Sequence, residues 1–263
     1  MPENIDIAVN KLIALLKGNF ERLSAILDGT RVGIVVSGGL DSSIIAHFAR
    51  LSFKDPIFLS LAGKESQDKP YLDILENYLE TNIEIVDSAN FNEQDIKNTK
   101  DILIKAGVEE NLMQLSLGLG FYLLGQRAQT LKVTHILTGQ GSDEIFGGYT
   151  RYKHYAGDLK NYLKNDYEIV GGADYKRDNA IFNSFNMQII NPYEEKDFLN
   201  YALDISPSLK LYSENGKIIE KYILRLVAQK LKLPSEIVWR PKKAFQYSSR
   251  MQKNLAAYLG IKI

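Results

Sequence analysis

Apolar positions recur along this chain in two rhythms. Short, nearly continuous apolar runs fall at 32–37, 56–61, 82–86 and 133–138. Runs this short, bounded by polar or glycine-rich residues, read as buried strands. Between them the apolar residues repeat at helical spacing. One such stretch runs from the end of the first strand to about Phe53, and others cover 68–79, 92–105 and 112–130. In 68–79 the residues Tyr71, Leu72, Leu75, Tyr78 and Leu79 share one face. Buried strands alternating with helices predict parallel βαβ units, hence an α/β fold with a doubly wound, mostly parallel sheet. Residues 4–28 are helical in pattern, and Gly18-Asn19 predicts a division into two packed helices.

Beyond Tyr149 the pattern changes. Residues 150–190 are polar and tyrosine-rich, with a break expected at Gly171-Gly172, and helical periodicity returns at 195–203 and 217–231. The expected organisation is N-terminal helices at 1–30, an α/β core at 31–150 and a C-terminal helical lobe of the same domain at 151–263. No internal repeat or low-complexity tract interrupts it.

Charge and composition narrow the function classes. Lys plus Arg equals Asp plus Glu at 32 each, so no broad basic field invites nucleic acid. The sequence has no cysteine, which excludes thiolate metal sites, disulfides and cysteine nucleophiles within it. His47, His135 and His154 are too scattered to suggest zinc. The N-terminal residues are acidic and lack a signal-peptide pattern, and the apolar stretch 112–125 is too short to span a bilayer. The expectation is a soluble cytoplasmic protein with no nucleic-acid or membrane partner, in which a homo-oligomer is possible.

Two loops carry the candidate chemistry, and each follows a predicted strand at its carboxyl end, where ligands bind in such sheets. The first is Ser37-Gly38-Gly39-Leu40-Asp41-Ser42-Ser43. Its glycines allow close backbone approach to an anion, its serines offer hydroxyls, and the helix that follows supplies unpaired N–H groups. A capping turn alone would use the same residue types. It lacks the Lys-Ser/Thr of a Walker A loop and the Gly-x-Gly-x-x-Gly of a dinucleotide fold. A carboxylate in a phosphate cradle, Asp41, makes sense when a metal ion lies between the two. The second loop, Gly139-Gln140-Gly141-Ser142-Asp143-Glu144-Ile145-Phe146-Gly147-Gly148-Tyr149, is also glycine-rich and acidic. On the same sheet edge, Asp41 and Asp143 can grip one Mg²⁺ from two sides.

The stretch 37–43 resembles the PP-loop of N-type ATP pyrophosphatases, and 139–149 resembles the asparagine synthetase branch of that superfamily. Trp239-Arg240-Pro241-Lys242-Lys243-Ala244-Phe245 is similar to that branch's Trp-Arg-x-Lys-x-x-Phe segment, and Lys221-Tyr222-Ile223-Leu224-Arg225 resembles the helix preceding it. The resemblance implies an adenine nucleotide alpha hydrolase-like, PP-loop fold and an ATP-dependent, AMP-forming amide ligase. A carboxylic acid, aspartate in the family, attacks the α-phosphorus, pyrophosphate leaves, and ammonia then displaces AMP. It further implies that Ser37, Gly38, Gly39, Ser42 and Ser43 hold pyrophosphate, that Asp41 and Asp143 hold Mg²⁺, and that Lys242 stabilises the α-phosphate transition state. Lys243 reads as an ordinary surface lysine. Ser60, Leu61 and Gly139 fall where the family's adenine and ribose contacts lie.

The chain departs from the family in three places. Family members carry a glutaminase domain with an N-terminal cysteine, whereas this chain starts near the synthetase domain; ammonia, or a separate glutaminase subunit, is then expected to supply nitrogen. Gln140 stands where the family has a glutamate that serves as base or charge partner for ammonium. Glu144 is the adjacent carboxylate that can take over that work, or it is a helix cap. The family's Pro-Phe-Leu-Asp appears here as Pro192-Tyr193-Glu194-Glu195. Gln140 therefore leaves open a related acyl-adenylate-forming ligase with a different acid or amine.

Overall fold

The computed structural model describes residues 4–214 and 216–262, with the side chains of 170–173 left aside. The first half runs α1 (Ile5–Ile26), β1 (Val32–Val35), α2 (Leu40–Ser52), β2 (Ile57–Leu61), α3 (Lys69–Leu79), β3 (Ile83–Val86), α4 (Glu93–Lys105), α5 (Leu112–Thr130), β4 (His135–Leu137) and α6 (Ser142–Phe146). The second half runs α7 (Thr150–Lys153), α8 (Leu159–Asn183), β5 (Gln188–Ile190), a 3₁₀ turn at Pro192–Glu194, α9 (Lys196–Asp204), α10 (Pro207–Lys210), β6 (Tyr212–Glu214), β7 (Lys217–Ile219), α11 (Tyr222–Lys230), α12 (Ser235–Val238), α13 (Phe245–Ser248) and α14 (Met251–Tyr258).

Five strands form one sheet in the order β3-β2-β1-β4-β5, every neighbouring pair parallel. The chain moves outward one way from β1 through β2 to β3, then returns to place β4 on the other side of β1. That reversal opens a crevice at the carboxyl ends of β1 and β4. Ile34 pairs with Leu137, so the loops leaving both strands start at the same level. All four residues of β1 are buried, as expected of a central strand covered on both faces.

One core cluster packs α1, α2, α3, α9, α11 and α12 on one side of the sheet, through residues such as Leu12, Phe20, Ile44, Leu75, Phe198 and Val227. A second packs α5 and α14 on the other, through Leu59, Leu119, Leu124, Ile136 and Met251. Among the described residues no helix is long and apolar enough to cross a membrane.

The doubly wound parallel sheet is present as expected, and four sequence-based boundaries change. The first helix is continuous through Gly18-Asn19. Asn19 is buried there, donates Nδ2 to Pro192 O at 3.3 Å and accepts from Arg22, so packing holds the helix straight where local propensity would break it. α8 likewise runs through the Gly171-Gly172 pair as one element. A fifth strand, β5, lies inside the stretch read as polar. Residues 217–219 are not helical but pair with 212–214 as a small antiparallel hairpin, and the helix begins only at Tyr222.

Candidate active site

The first turn of α2 and the loop before it form a compact cradle. Ser42 Oγ accepts from Ser37 N at 3.1 Å and lies 3.3 Å from Ser37 Oγ, and Gly39 N donates to Ser37 Oγ at 3.4 Å. Gly38 has φ +64°, and a Cβ there would fall 2.7 Å from Tyr71 Cβ and 2.9 Å from Tyr71 C. Ser43 is fully buried behind the loop, its amide bonded to Gly39 O. At the end of β2, Ser60 and Leu61 are buried too, and Ser60 Oγ has no hydrogen-bond partner among the described residues.

The second loop lies directly on the first. A Cβ on Gly139 would sit 3.0 Å from Ser42 N and 3.2 Å from the Asp41 carbonyl carbon, so a side chain there would press the two backbones apart. The aspartates are bridged by a lysine. Lys221 Nζ donates to Asp41 Oδ2 at 2.6 Å and to Ser142 Oγ at 3.0 Å, and lies 2.8 Å from Asp143 Oδ1. Lys242 pairs with the other oxygen, Asp143 Oδ2. Burial alone would raise the Asp143 pKa; the ammonium groups of Lys221 and Lys242 overcome it and hold the acid well below the usual carboxylate range. Lys243 donates instead to Gln67 Oε1, and both residues line the opening beside Lys242.

Lys221 is only 3% exposed and was not singled out as a site residue from sequence. Its signal was there: the segment 221–225 matched the family, and the matched lysine is the residue that reaches the site. The far end of the chain arrives by Arg240, which donates Nη1 to Ser37 O at 2.7 Å, pairs with Asp68 and stacks 4.0 Å over the Tyr71 ring. This places Lys242, two residues on, beside the cradle.

A cavity of about 870 Å³ opens between the loops, α5, α8 and the 242–247 segment. That lies within the range of small-molecule sites, about 300–1,000 Å³. Asp41, Ser42, Gly139, Gln140, Asp143 and Glu144 all line it. Glu144 accepts from Tyr149 Oη at 2.6 Å, and burial raises its pKa, with Asp143 adding to the effect. Behind Gly141, Glu194 accepts from Tyr167 Oη and from Asn191 Nδ2, each at 3.0 Å. Burial lifts the Glu194 pKa to about 7, and Glu144 nearby pushes the same way. On α8, buried Arg177 donates Nε to Asp178 Oδ1 at 2.6 Å and Nη1 to Asp174 Oδ1 at 2.7 Å. Sequence reading missed this trio because its charges sit in a tyrosine-rich stretch with no motif around them.

The structure therefore brings together Asp41, Asp143, Lys242 and the 37–42 loop, adds Lys221, and sets Gln140 and Glu144 on the same cavity. The asparagine synthase family model matches residues 24–186 and 174–260 of this chain. A putative glutamine-hydrolysing asparagine synthetase of Methanocaldococcus jannaschii is 29% identical over 85% of this chain and 46% of its own length. A glutamine-hydrolysing asparagine synthetase of Oryza sativa subsp. japonica is 26% identical over 88% of this chain and 42% of its own. The chain thus spans less than half the length of these curated relatives. A U34-tRNA thiolase structure from Methanococcus maripaludis overlays with a TM-score of 0.48 and 14% identity, over 95% of this chain and 75% of the thiolase.

Proposed function

This chain belongs to the asparagine synthase family, and from that premise we propose that it is an ATP-dependent, AMP-forming amide ligase that adenylates a carboxylic acid and transfers the acyl group to ammonia. Aspartate is the acid proposed. The observation that carries the reading is the chain of contacts Asp41–Lys221–Asp143–Lys242 across the carboxyl ends of β1 and β4. It joins two acidic glycine-rich loops to two lysines at the place where this fold binds ligands.

The cradle's own residues suit a polyphosphate. The N-terminus of α2 points unpaired N–H groups into the crevice, and Ser37 and Ser42 add hydroxyls. Lys221 and Lys242 neutralise the two aspartates as the site stands. Their ammonium groups are also the cations within reach of phosphate oxygens at the loop. Such preorganised charge stabilises the transition state of α-phosphoryl attack and the departing pyrophosphate. Lys242 is the more exposed of the two and lines the main cavity, so it is assigned the α-phosphate.

Mg²⁺ fits the donor set. Asp41 Oδ1 is buried with no hydrogen-bond partner among the described residues, and a cation, the Lys221 ammonium, already sits between Asp41 and Asp143. Mg²⁺ is commonly held by one or two carboxylates with phosphates and water. Asp41 and Asp143 would hold it, and when bound it would neutralise charge on the phosphates.

With no cysteine in these 263 residues, the nitrogen is proposed to come from ammonia, free or delivered by a separate glutaminase subunit. Gln140 favours a second reading, in which a different acid or amine is joined by the same adenylate chemistry. Exchange of labelled pyrophosphate into ATP tests the first half-reaction. Aspartate-dependent exchange, with amide formed on adding ammonium, is the expected result. Exchange only with another acid moves the assignment to the second reading; exchange with none rejects adenylation. Asp41→Asn is expected to lower exchange by at least about 100-fold, the scale of lost transition-state electrostatics. Near-normal exchange in that variant would remove Asp41 from the site.

A further inference from the structure

We propose that Gln140 and Asp178 form the subsite for the nitrogen nucleophile, with Asp178 as the counter-charge and proton acceptor for an ammonium ion. The inference rests on the adenylating reading above and names the group that does the work of a carboxylate at position 140.

Charge counting on the cavity wall motivates it. The phosphate side is balanced, with Asp41, Asp143 and Glu144 against Lys221, Lys242 and Lys243. The α8 side is not: Arg177 alone faces both Asp174 and Asp178, and spends another donor on Gln114 Oε1 at 2.9 Å. Arg151, which also lines the cavity, is paired with Asp166. That wall therefore carries one uncompensated carboxylate charge, enough for one small cation.

Two unfilled polar groups share the cavity with it. Gln140 Oε1 and Tyr175 Oη are buried and have no hydrogen-bond partner among the described residues, and both residues line the cavity with Asp178. The Gln140 side chain is also near enough to Asp178 to favour its charged form. An acceptor amide, a hydroxyl and a buried carboxylate suit the N–H groups of ammonium. Unfilled buried acceptors are costly, so they mark a place a ligand is meant to fill. Glu144 is the weaker alternative, because its Oε1 already accepts from Tyr149 and its charged neighbours are Asp143 and Lys221. Burial lifts the Asp178 pKa to about 6 against the pull of Arg177, which suits proton transfer near neutral pH.

The step balances. Ammonium gives one proton to the Asp178 carboxylate and becomes ammonia. Its lone pair forms the C–N bond to the acyl carbon. The acyl C–O bond breaks, its electron pair leaves on the AMP phosphate, and that phosphate takes the surplus proton from nitrogen. Asp178 then returns its proton to solvent.

The test compares ammonium-dependent amide formation with pyrophosphate exchange in the full chain. Asp178→Asn is expected to lower kcat/KM for ammonium about 100-fold more than it lowers exchange, the usual worth of a general base. Adding Gln140→Glu to that variant returns a carboxylate to the subsite and is expected to restore ammonium use at least tenfold. A selective loss repaired in this way supports the subsite. Equal loss of both rates, or a selective loss that Gln140→Glu leaves unrepaired, overturns it. Absence of exchange with any acid in the unaltered chain rejects the adenylating reading itself, and this subsite with it.

Discussion

Lys221 holds a charge that water would otherwise stabilise, and its burial makes sense only with the two aspartates in place. Taking away one partner of a buried ion pair leaves the others uncompensated and costs about 3–5 kcal/mol. Asp41 and Asp143 keep 18% and 16% of their side-chain surface exposed. Lys221→Met is therefore expected near the lower end, about 3 kcal/mol, read as a drop in the urea midpoint with the slope unchanged. An unchanged midpoint would mean that the lysine does not hold the aspartates. Glu194 gives a second measurable effect. Burial pushes its carboxyl up to about 7 in the folded chain, from about 4.5 for an exposed glutamate. Between those values the folded state binds more protons than the unfolded one, so stability falls as pH rises from about 5 to 7 and then levels. Asp178, held at about 6 against 3.8, acts in the same direction. Glu194→Gln should shrink the stability difference between pH 5 and pH 8, and an identical difference would show that Glu194 does not titrate in this window. At this scale the motif residues were legible, because glycines and carboxylates in a fixed spacing have few other uses. Lys221, Asp178 and Glu194 were not, since each matters through residues distant in sequence: Lys221 reaches back 180 positions to Asp41.

At the scale of elements, the strand-loop-helix of β1 and α2 was readable because local and tertiary preferences agree. A buried apolar run, a glycine turn and an amphipathic helix all point to one structure. Where they disagreed, tertiary packing won. Gly18 suggested a break in α1, yet the helix packs along its length on α2, α9 and α11 and stays whole. β5 was missed because three residues, Gln188-Ile189-Ile190, give too little period to count, although Pro192 shortly after them marks the end of an element. The loop between β1 and α2 makes the clearest prediction at this scale. Gly38 is in the left-handed region, and an added Cβ would meet the backbone at the start of α3, which is not a movable side-chain tip. The loop must then shift away from Tyr71. Gly38→Ala is expected to cost roughly 1–3 kcal/mol of stability and to weaken nucleotide binding. Thermal unfolding together with ATP titration checks both, and a variant that binds ATP normally would show that the cradle does not need this approach.

The whole molecule is arranged so that its last quarter completes the site begun by its first strand. Arg240 ties the 239–250 segment to the Ser37 carbonyl and to Asp68, while Ser66 Oγ and Ser88 Oγ donate to the carbonyls of Ser248 and Ser249 at 2.8 and 2.7 Å. The sheet sets the loops, and this returning segment sets Lys242 against them. Stability and catalysis should therefore separate at two residues only two positions apart. Arg240→Ala removes a buried pair and leaves Asp68, 1% exposed, without its cation, at a cost of about 3 kcal/mol or more. It also frees Lys242, so exchange should fall as well. Arg240→Lys should recover little, because one ammonium cannot reproduce contacts to a carbonyl, a carboxylate and a ring face together. Lys242→Ala breaks a more exposed pair and should cost no more than about 1 kcal/mol, while exchange falls about 100-fold or more through the lost cation. Urea midpoints and exchange rates measured on all three variants decide the matter. If Arg240→Ala kept the parent midpoint, the C-terminal segment would not be anchored through this residue. If Lys242→Ala lost stability and activity in proportion, Lys242 would be a structural tie and its assignment to the α-phosphate would fail.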